Sequence, residues 1–481
     1  MLFNSIEFAV FLPVVFLLYW FVFNRNLRLQ NLFVVVVSYV FYGWWDWRFL
    51  LLIAFTSLCS YVSGLLIAKF HANPRKAKSI NVINIVLNLL ILGVFKYYDF
   101  FATSFADLFL GGKTDGILLK VILPVGISFY TFQALSYSID VYRGKMEPTQ
   151  DIIQFFAYVS FFPQLVAGPI ERATNLLPQF AKPRTFDYET GVDGLRQILW
   201  GLFKKMVVAD SCAVFVDQVF SSHQTQSGST LLLAAVFFAF QIYGDFSGYS
   251  DIAIGTAKLF GIKLMRNFNV PYFSRDIAEF WRRWHISLTT WFRDYVYIPM
   301  GGSRCSKAKI VRNTFTIFLL SGFWHGANWT FIAWGAYHAI LFLPLILLGK
   351  NRKYRDTVAE GRLLPNLKEF GQMLLTFILV VIGWIIFRAE SIGQAWEYFC
   401  GMWSWETLSA CYKFFIQADI WKTSIAILAM LVIEWLSRQK SYAFSISSIP
   451  SPWIRTTIYY VLIFIILMNF GTQQTFIYFQ F

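Results

Sequence analysis

Residues 312–350 read RNTFTIFLLSGFWHGANWTFIAWGAYHAILFLPLILLGK, and the fold class is decided by this stretch. Two apolar runs, 314–323 and 329–348, are separated by a polar interruption around His325 and flanked on their outer ends by Arg312 and Lys350. Lys and Arg collect on the cytoplasmic side of membrane proteins, so both ends of this hairpin are expected there. Residues 313–323 make about 16 Å of helix, roughly half of a 30 Å hydrocarbon core. The spacing therefore predicts His325 near mid-membrane, at the tip of a broken hairpin. An ionisable group at that depth is costly, and non-helical backbone survives there only where it lines a protein cavity. Gly322 and Gly326 bracket the histidine and would permit the break. A packed, structural histidine is the competing reading, but it supplies no reason for the two glycines. Trp324 and Asn328 are placed to orient the ring.

The rest of the chain is of the same kind. Of 481 residues 57% are hydrophobic and 20% aromatic, while 14% are charged, against about 25% in ordinary soluble domains. A soluble globule is excluded. Further apolar runs lie at 6–23, 32–42, 49–68, 80–95, 118–135, 198–220, 231–242, 373–387, 425–436 and 458–468. The first begins almost at Met1 without a basic leader or small-residue cleavage site, so it reads as a retained span. Run 152–167 is interrupted by Pro163, Gly168 and Pro169 and followed by basic residues, including Lys204 and Lys205, which favours a re-entrant element over a crossing. Trp44, Trp45 and Trp47 mark an interfacial turn; Trp396, Trp403 and Trp405 read as another aromatic belt in preference to a sugar-binding surface.

The expectation is an all-α polytopic integral membrane protein with ten to twelve crossings plus re-entrant and interfacial helices. It is one membrane domain, 1–481, with N-terminal spans in 1–150, a core in 151–350 and C-terminal spans in 351–481. The net charge of +14 lies in loops between apolar runs, where the cytoplasmic bias explains it, and nucleic acid is not expected as a partner. Five widely spaced cysteines, with no C-x-x-C, imply neither a disulfide framework nor a metal knuckle.

Residues 263–312 carry ten basic and three acidic side chains, half of the net charge. Within them, apolar positions 281, 284, 288, 291, 292 and 295 recur at helical spacing, predicting an amphipathic interfacial helix over 280–295. His285 lies on its apolar side. Arg282 and Arg283 fall away from that stripe. They suit either anionic lipid or a phosphate-bearing donor such as acyl-coenzyme A. A neutral imidazole at His325 would suit acyl transfer, in which a base takes the proton of an attacking hydroxyl. The chain has no H-E-x-x-H, no phosphate-binding glycine loop and no G-x-S-x-G elbow. His71 and His223 fall in loops, and His338 reads as a packed helix residue.

Phe280-Trp-Arg-Arg-Trp-His-Ile-Ser-Leu288, Trp291-Phe-Arg-Asp-Tyr-Val-Tyr-Ile-Pro-Met-Gly-Gly302 and Gly322-Phe-Trp-His-Gly-Ala-Asn-Trp329 together resemble the membrane-bound O-acyltransferase family. The resemblance is to its bacterial polysaccharide branch, typified by alginate O-acetyltransferases. Supporting blocks are Phe161-Phe-Pro-Gln-Leu-Val-Ala-Gly-Pro169, Tyr243-Gly-Asp-Phe-Ser-Gly-Tyr-Ser-Asp251 and Phe476-Ile-Tyr-Phe-Gln-Phe481. The resemblance implies that His325 is the catalytic histidine and His285 the second characteristic polar position. It implies a ring of spans around a central funnel, no bound cofactor or metal, and acetyl-CoA as donor at the cytoplasmic face of a bacterial inner membrane. The acceptor is an extracytoplasmic glycan, reached through a periplasmic hydrolase-like partner. D-alanyl transfer to teichoic acid-like acceptors and a transporter remain alternatives. A transporter would leave the thioester uncleaved.

Overall fold

Backbone amides in a bilayer must bond within their own segment, so a chain this apolar has helices open to it. The computed structural model describes residues 1–114, 116–166, 168–403, 418–446, 449–471, 474, 476 and 477; it is helical, with no strand among them. Trp405 and the closing residues 478–481 lie outside the described residues. Five described helices are long and apolar enough to cross a membrane: Trp47–Lys69, Pro74–Phe109, Gly228–Leu259, Trp329–Leu347 and Leu367–Arg388. Three shorter apolar helices, Ile6–Val22, Leu27–Gly43 and Pro452–Met468, add to them. Large apolar side chains such as Leu51, Ile83, Leu90 and Phe464 are exposed on these helices, as a lipid solvent requires. The protein is a multi-pass, all-α membrane protein.

The chain forms two compact units. The first comprises Met1–Leu195 and Ala253–Met265. Its helices start where short polar side chains satisfy the free N-terminal amides: Asn26 accepts from Arg28 and Leu29, and Asn73 caps a helix opened by Pro74. Pro74–Phe109 runs 36 residues, about 54 Å and longer than a hydrocarbon core. Asn81, Asn84 and Asn88 share one buried face of it, and Asn84 Nδ2 donates to Ser138 Oγ at 2.9 Å. The apolar run 118–135 does not form one crossing. Its first part is not helical, and the helix Ile127–Tyr142 starts after Gly126 at φ 74°, a left-handed turn that favours glycine. Run 152–167 becomes Ile152–Ser160, a turn at Phe161, and Phe162–Leu165. Nine residues make about 14 Å, too short to cross, as expected of a re-entrant element.

The second unit comprises Arg196–Ile252 and Arg266–Phe481. Here the apolar run 231–242 is the opening of a longer helix, Gly228–Leu259, which continues unbroken through Gly244, Asp245 and Gly248. Those residues resemble loop formers by type; the two glycines instead allow close packing. A Cβ at Gly248 would meet Gly201 O at 2.7 Å, and one at Gly244 would meet Lys204 O at 2.9 Å. The histidine-bearing hairpin is Lys307–His325 and Trp329–Leu347. The first helix begins six residues before Asn313, so about 28 Å of helix, not 16 Å, precedes the turn. His325 is its last residue, and extended Gly326 starts the connection.

The bracketing glycines also have a packing role that sequence reasoning did not supply. A Cβ at Gly322 would lie 2.2 Å from Phe331 O, and one at Gly326 2.1 Å from the Phe331 ring. Gly335 completes the contact from the other helix, where a Cβ would meet Phe318 O at 2.4 Å. Helix Leu367–Arg388, opened by a reciprocal Asn366 and Glu369 capping box, packs against Trp329–Leu347.

Candidate active site

The predicted helix 280–295 is not continuous. It divides into Ile277–Arg283 and Ile286–Phe292, and His285 stands at the break with φ 42° and ψ 54°. Left-handed backbone is unfavourable for a residue with a Cβ and persists where the surroundings impose it. The imposing element is the segment that follows Arg266. Ile286 N donates to Asn267 O at 2.8 Å, and Asn269 N donates to Arg283 O at 2.9 Å, gripping the chain on both sides of the histidine.

The break turns His285 inward. Its ring is fully buried, meets Phe246 edge-on at 4.6 Å and lies 6.3 Å from Phe268. Burial pushes the imidazole down to about 3, which leaves it neutral at physiological pH. Asn267, also buried, places Oδ1 3.1 Å from His285 Nδ1, accepts from Ser287 Oγ at 2.9 Å and from Ser287 N at 3.3 Å, and donates through Nδ2 to Ser250 Oγ at 3.1 Å.

The two predicted histidines come together. The centroids of His285 and His325 are 6.5 Å apart, with Trp324 5.9 Å from the first and 5.1 Å from the second. Trp334 and Phe387, at 5.2 and 5.3 Å, close the far side of His325. Even with nitrogens aimed at each other the two rings stay about 4 Å apart, beyond direct hydrogen-bond reach and wide enough for one bridging hydroxyl. The arrangement is a pair of imidazoles in an aromatic box, suited to holding and passing a proton away from bulk water.

Other predicted site residues are engaged differently. Asn328 caps Trp329–Leu347 by accepting from Thr330 N at 3.0 Å and donates to Glu390 O at 2.9 Å. Arg283 is buried against Glu279 at 2.8 Å, and Arg275 bonds the same carboxylate at 3.1 Å. Arg282 is exposed and donates to the carbonyls of Asn351 and Tyr354, both at 2.5 Å. His338 is buried 5.0 Å from both Trp281 and Trp334, as a packed helix residue.

Sequence reasoning missed the residues that hold the site. Asn267 and Ser250 carry no local motif. Lys204 and Lys205 are not loop charges. Each is buried in an ion pair: Lys204 Nζ lies 2.5 Å from Asp251, and Lys205 Nζ lies 2.7 Å from Asp210 and 2.8 Å from Asp245. The available signal was three carboxylates, Asp210, Asp245 and Asp251, inside or beside apolar runs, since buried charges require partners.

Comparison with known proteins gives these residues a context. The sequence model of the membrane-bound O-acyltransferase family matches residues 39–354, well over half of the chain. The chain belongs to this family. It is 40% identical to a probable alginate O-acetylase of Pseudomonas aeruginosa, over 92% of this chain and 82% of that protein. It is 34% identical to a peptidoglycan O-acetyltransferase of Helicobacter pylori, over 86% and 81%. A teichoic acid D-alanyltransferase of Bacillus subtilis is 28% identical over 56% of this chain. As a member of the membrane-bound O-acyltransferases with such relatives, the protein is an O-acyltransferase. His285 and His325 both fall inside the family match.

Proposed function

We propose that this protein moves an acetyl group from acetyl-CoA at the cytoplasmic face of a bacterial inner membrane to an extracytoplasmic polysaccharide, with His325 as the general base. The observation that carries the proposal is the buried pair of imidazoles, 6.5 Å apart and walled by Trp324, Trp334 and Phe387, in a member of this family. The acceptor hydroxyl lies between the two rings. Its oxygen attacks the thioester carbonyl while His325 takes its proton; the tetrahedral intermediate then collapses, the C–S bond breaks, and the sulfur leaves as CoA thiolate, which the imidazolium reprotonates.

His285 positions the hydroxyl as the second polar group of the pair. Trp324 packs beside both rings and limits water. Asn328 fixes the hairpin connection that carries His325, and Arg283 fixes the broken helix that carries His285. Arg282, on the exposed side of that helix, is the contact offered to donor phosphates. The acceptor hydroxyl is carried by a periplasmic hydrolase-like partner, which then passes the acetyl group from its new ester to a glycan hydroxyl and recovers its own hydroxyl. Names of the relatives support the acceptor class: two with high coverage act on alginate and peptidoglycan by name. The D-alanyl reading is less favoured, because the teichoic acid relative matches at lower identity over little more than half of the chain.

The test is mass spectrometry of cell-envelope sugars from cells with the wild-type protein, without it, and with His325→Ala. Acetyl content should fall to the level of the deletion in the variant at unchanged membrane abundance. Retained acetylation would overturn the proposal.

A further inference from the structure

Two atoms approach His285 Nδ1, Asn267 Oδ1 at 3.1 Å and Ser287 Oγ at 3.4 Å, and the Ser287 hydroxyl hydrogen is directed to the nearer Asn267 Oδ1 at 2.9 Å, so Asn267 decides where the ring proton sits. A single atom of the Asn267 side-chain amide lies 3.3 Å from Ser287 N, 2.9 Å from Ser287 Oγ and 3.1 Å from His285 Nδ1. A backbone N–H can only donate, so that atom is the carbonyl oxygen. Turned by 180°, the amide would set its own NH2 against the N–H of Ser287. Ser250 Oγ meets the other end of the amide at 3.1 Å and accepts from Nδ2 there. A carbonyl oxygen only accepts, so His285 Nδ1 must carry hydrogen to make its contact favourable. A neutral imidazole has one ring proton, which leaves the lone pair on Nε2.

We propose that Asn267 is a positioning residue that holds His285 as its Nδ1–H tautomer and thereby keeps hydrogen off Nε2 in the site it shares with His325. This rests on the reading above that the histidine pair handles the acceptor hydroxyl. The other contacts of Asn267 serve the same end. Its main-chain oxygen accepts from Ile286 N at 2.8 Å and holds the left-handed turn, while Phe246 and Phe268 set the plane of the ring. With no hydrogen on Nε2, His285 sets no N–H against the acceptor oxygen, which keeps its lone pair for the thioester carbon while its one proton goes to His325. The opposite tautomer would present N–H to that oxygen and compete for the lone pair used in attack.

The experiment uses the full-length protein in proteoliposomes, labelled with 15N histidine. Only five histidines are present, so His285 is assigned by the resonance lost in His285→Asn, a variant that tolerates left-handed backbone. The wild type should show a protonated Nδ1 and an unprotonated Nε2 at His285. Asn267→Leu, which removes the acceptor, should lower kcat for acetyl-CoA turnover by about 100-fold with little change in KM. Asn267→Asp, which keeps an acceptor at the same place, should stay within about ten-fold of wild type. On a His285→Asn background Asn267→Leu should cost nothing more, because the two act through one ring.

A protonated Nε2 in the wild type, or a full additive loss in the double variant, would overturn the proposal. A drop in membrane abundance of Asn267→Leu does not blunt the test, since the tautomer is read on the wild type. Should His285→Asn alone keep full kcat, the role of His285 in the mechanism fails, while the 15N spectrum still decides the Asn267 claim.

Discussion

An ammonium group flanked by two carboxylates, all three withdrawn from solvent, is held by its attraction to both, and Lys205 with Asp210 and Asp245 is such a group. Removing one partner of a buried ionic set leaves an uncompensated charge and costs about 3–5 kcal/mol. Lys205→Met should therefore lower thermal stability in detergent strongly. Adding Asp210→Asn and Asp245→Asn to it should restore much of the loss, because no unpaired charge then remains. The melting temperatures of the three proteins check this. At the same scale, His325 and His285 were readable because ionisable side chains in apolar surroundings announce themselves. Asn267 was not: its value depends on contacts with Ser250 and with His285, 18 residues away, and an isolated Asn between apolar stretches carries no periodicity. Arg283 was misjudged for a related reason, since its Glu279 partner fixes it inward only once the helix ends at Trp284.

Elements here are defined by glycine contacts as much as by hydropathy. Gly322 and Gly335 sit where backbone atoms of the two hairpin helices nearly touch. A methyl group at either place must push the helices apart, which costs about 1–3 kcal/mol in overpacking and moves the helix end that bears His325. Gly322→Ala and Gly335→Ala should each reduce stability and acyl transfer together. Gly371→Ala, at a helical position with nothing within 4 Å, should leave activity alone and raise stability by up to about 1 kcal/mol. Thermal unfolding and turnover measured side by side check this contrast. Most helices coincide with apolar runs, with 118–126 apolar yet not helical, and the helix ends were not legible. Lys307, Lys309 and Arg312 look like loop residues, yet they form the first turns of Lys307–His325, where long basic side chains reach outward from a helix. The break at His285 was hidden because the stripe 281, 284, 288 continues across it, and hydropathy does not register a single left-handed residue.

For the whole molecule, the bilayer made the class legible. Low charge, abundant aromatics and apolar runs of span length permit a helical membrane protein and little else, and both the helices and the family match agree. The division into two units was not legible, since Ala253–Met265 joins the first unit from within the chain's second half. No composition shift marks a helix that serves two units. Enzymatic character became legible only at residues 322–329, where a glycine-bracketed histidine interrupts an apolar hairpin. The measurement that bears most directly on the central claim is release of free CoA from acetyl-CoA by purified protein in proteoliposomes supplied with acceptor glycan and partner. The wild type should release CoA with each transfer, and His325→Ala, equally abundant and equally stable, should release none above background. CoA release by the variant at the wild-type rate, or none by either protein while acetyl-CoA still binds, would contradict the account.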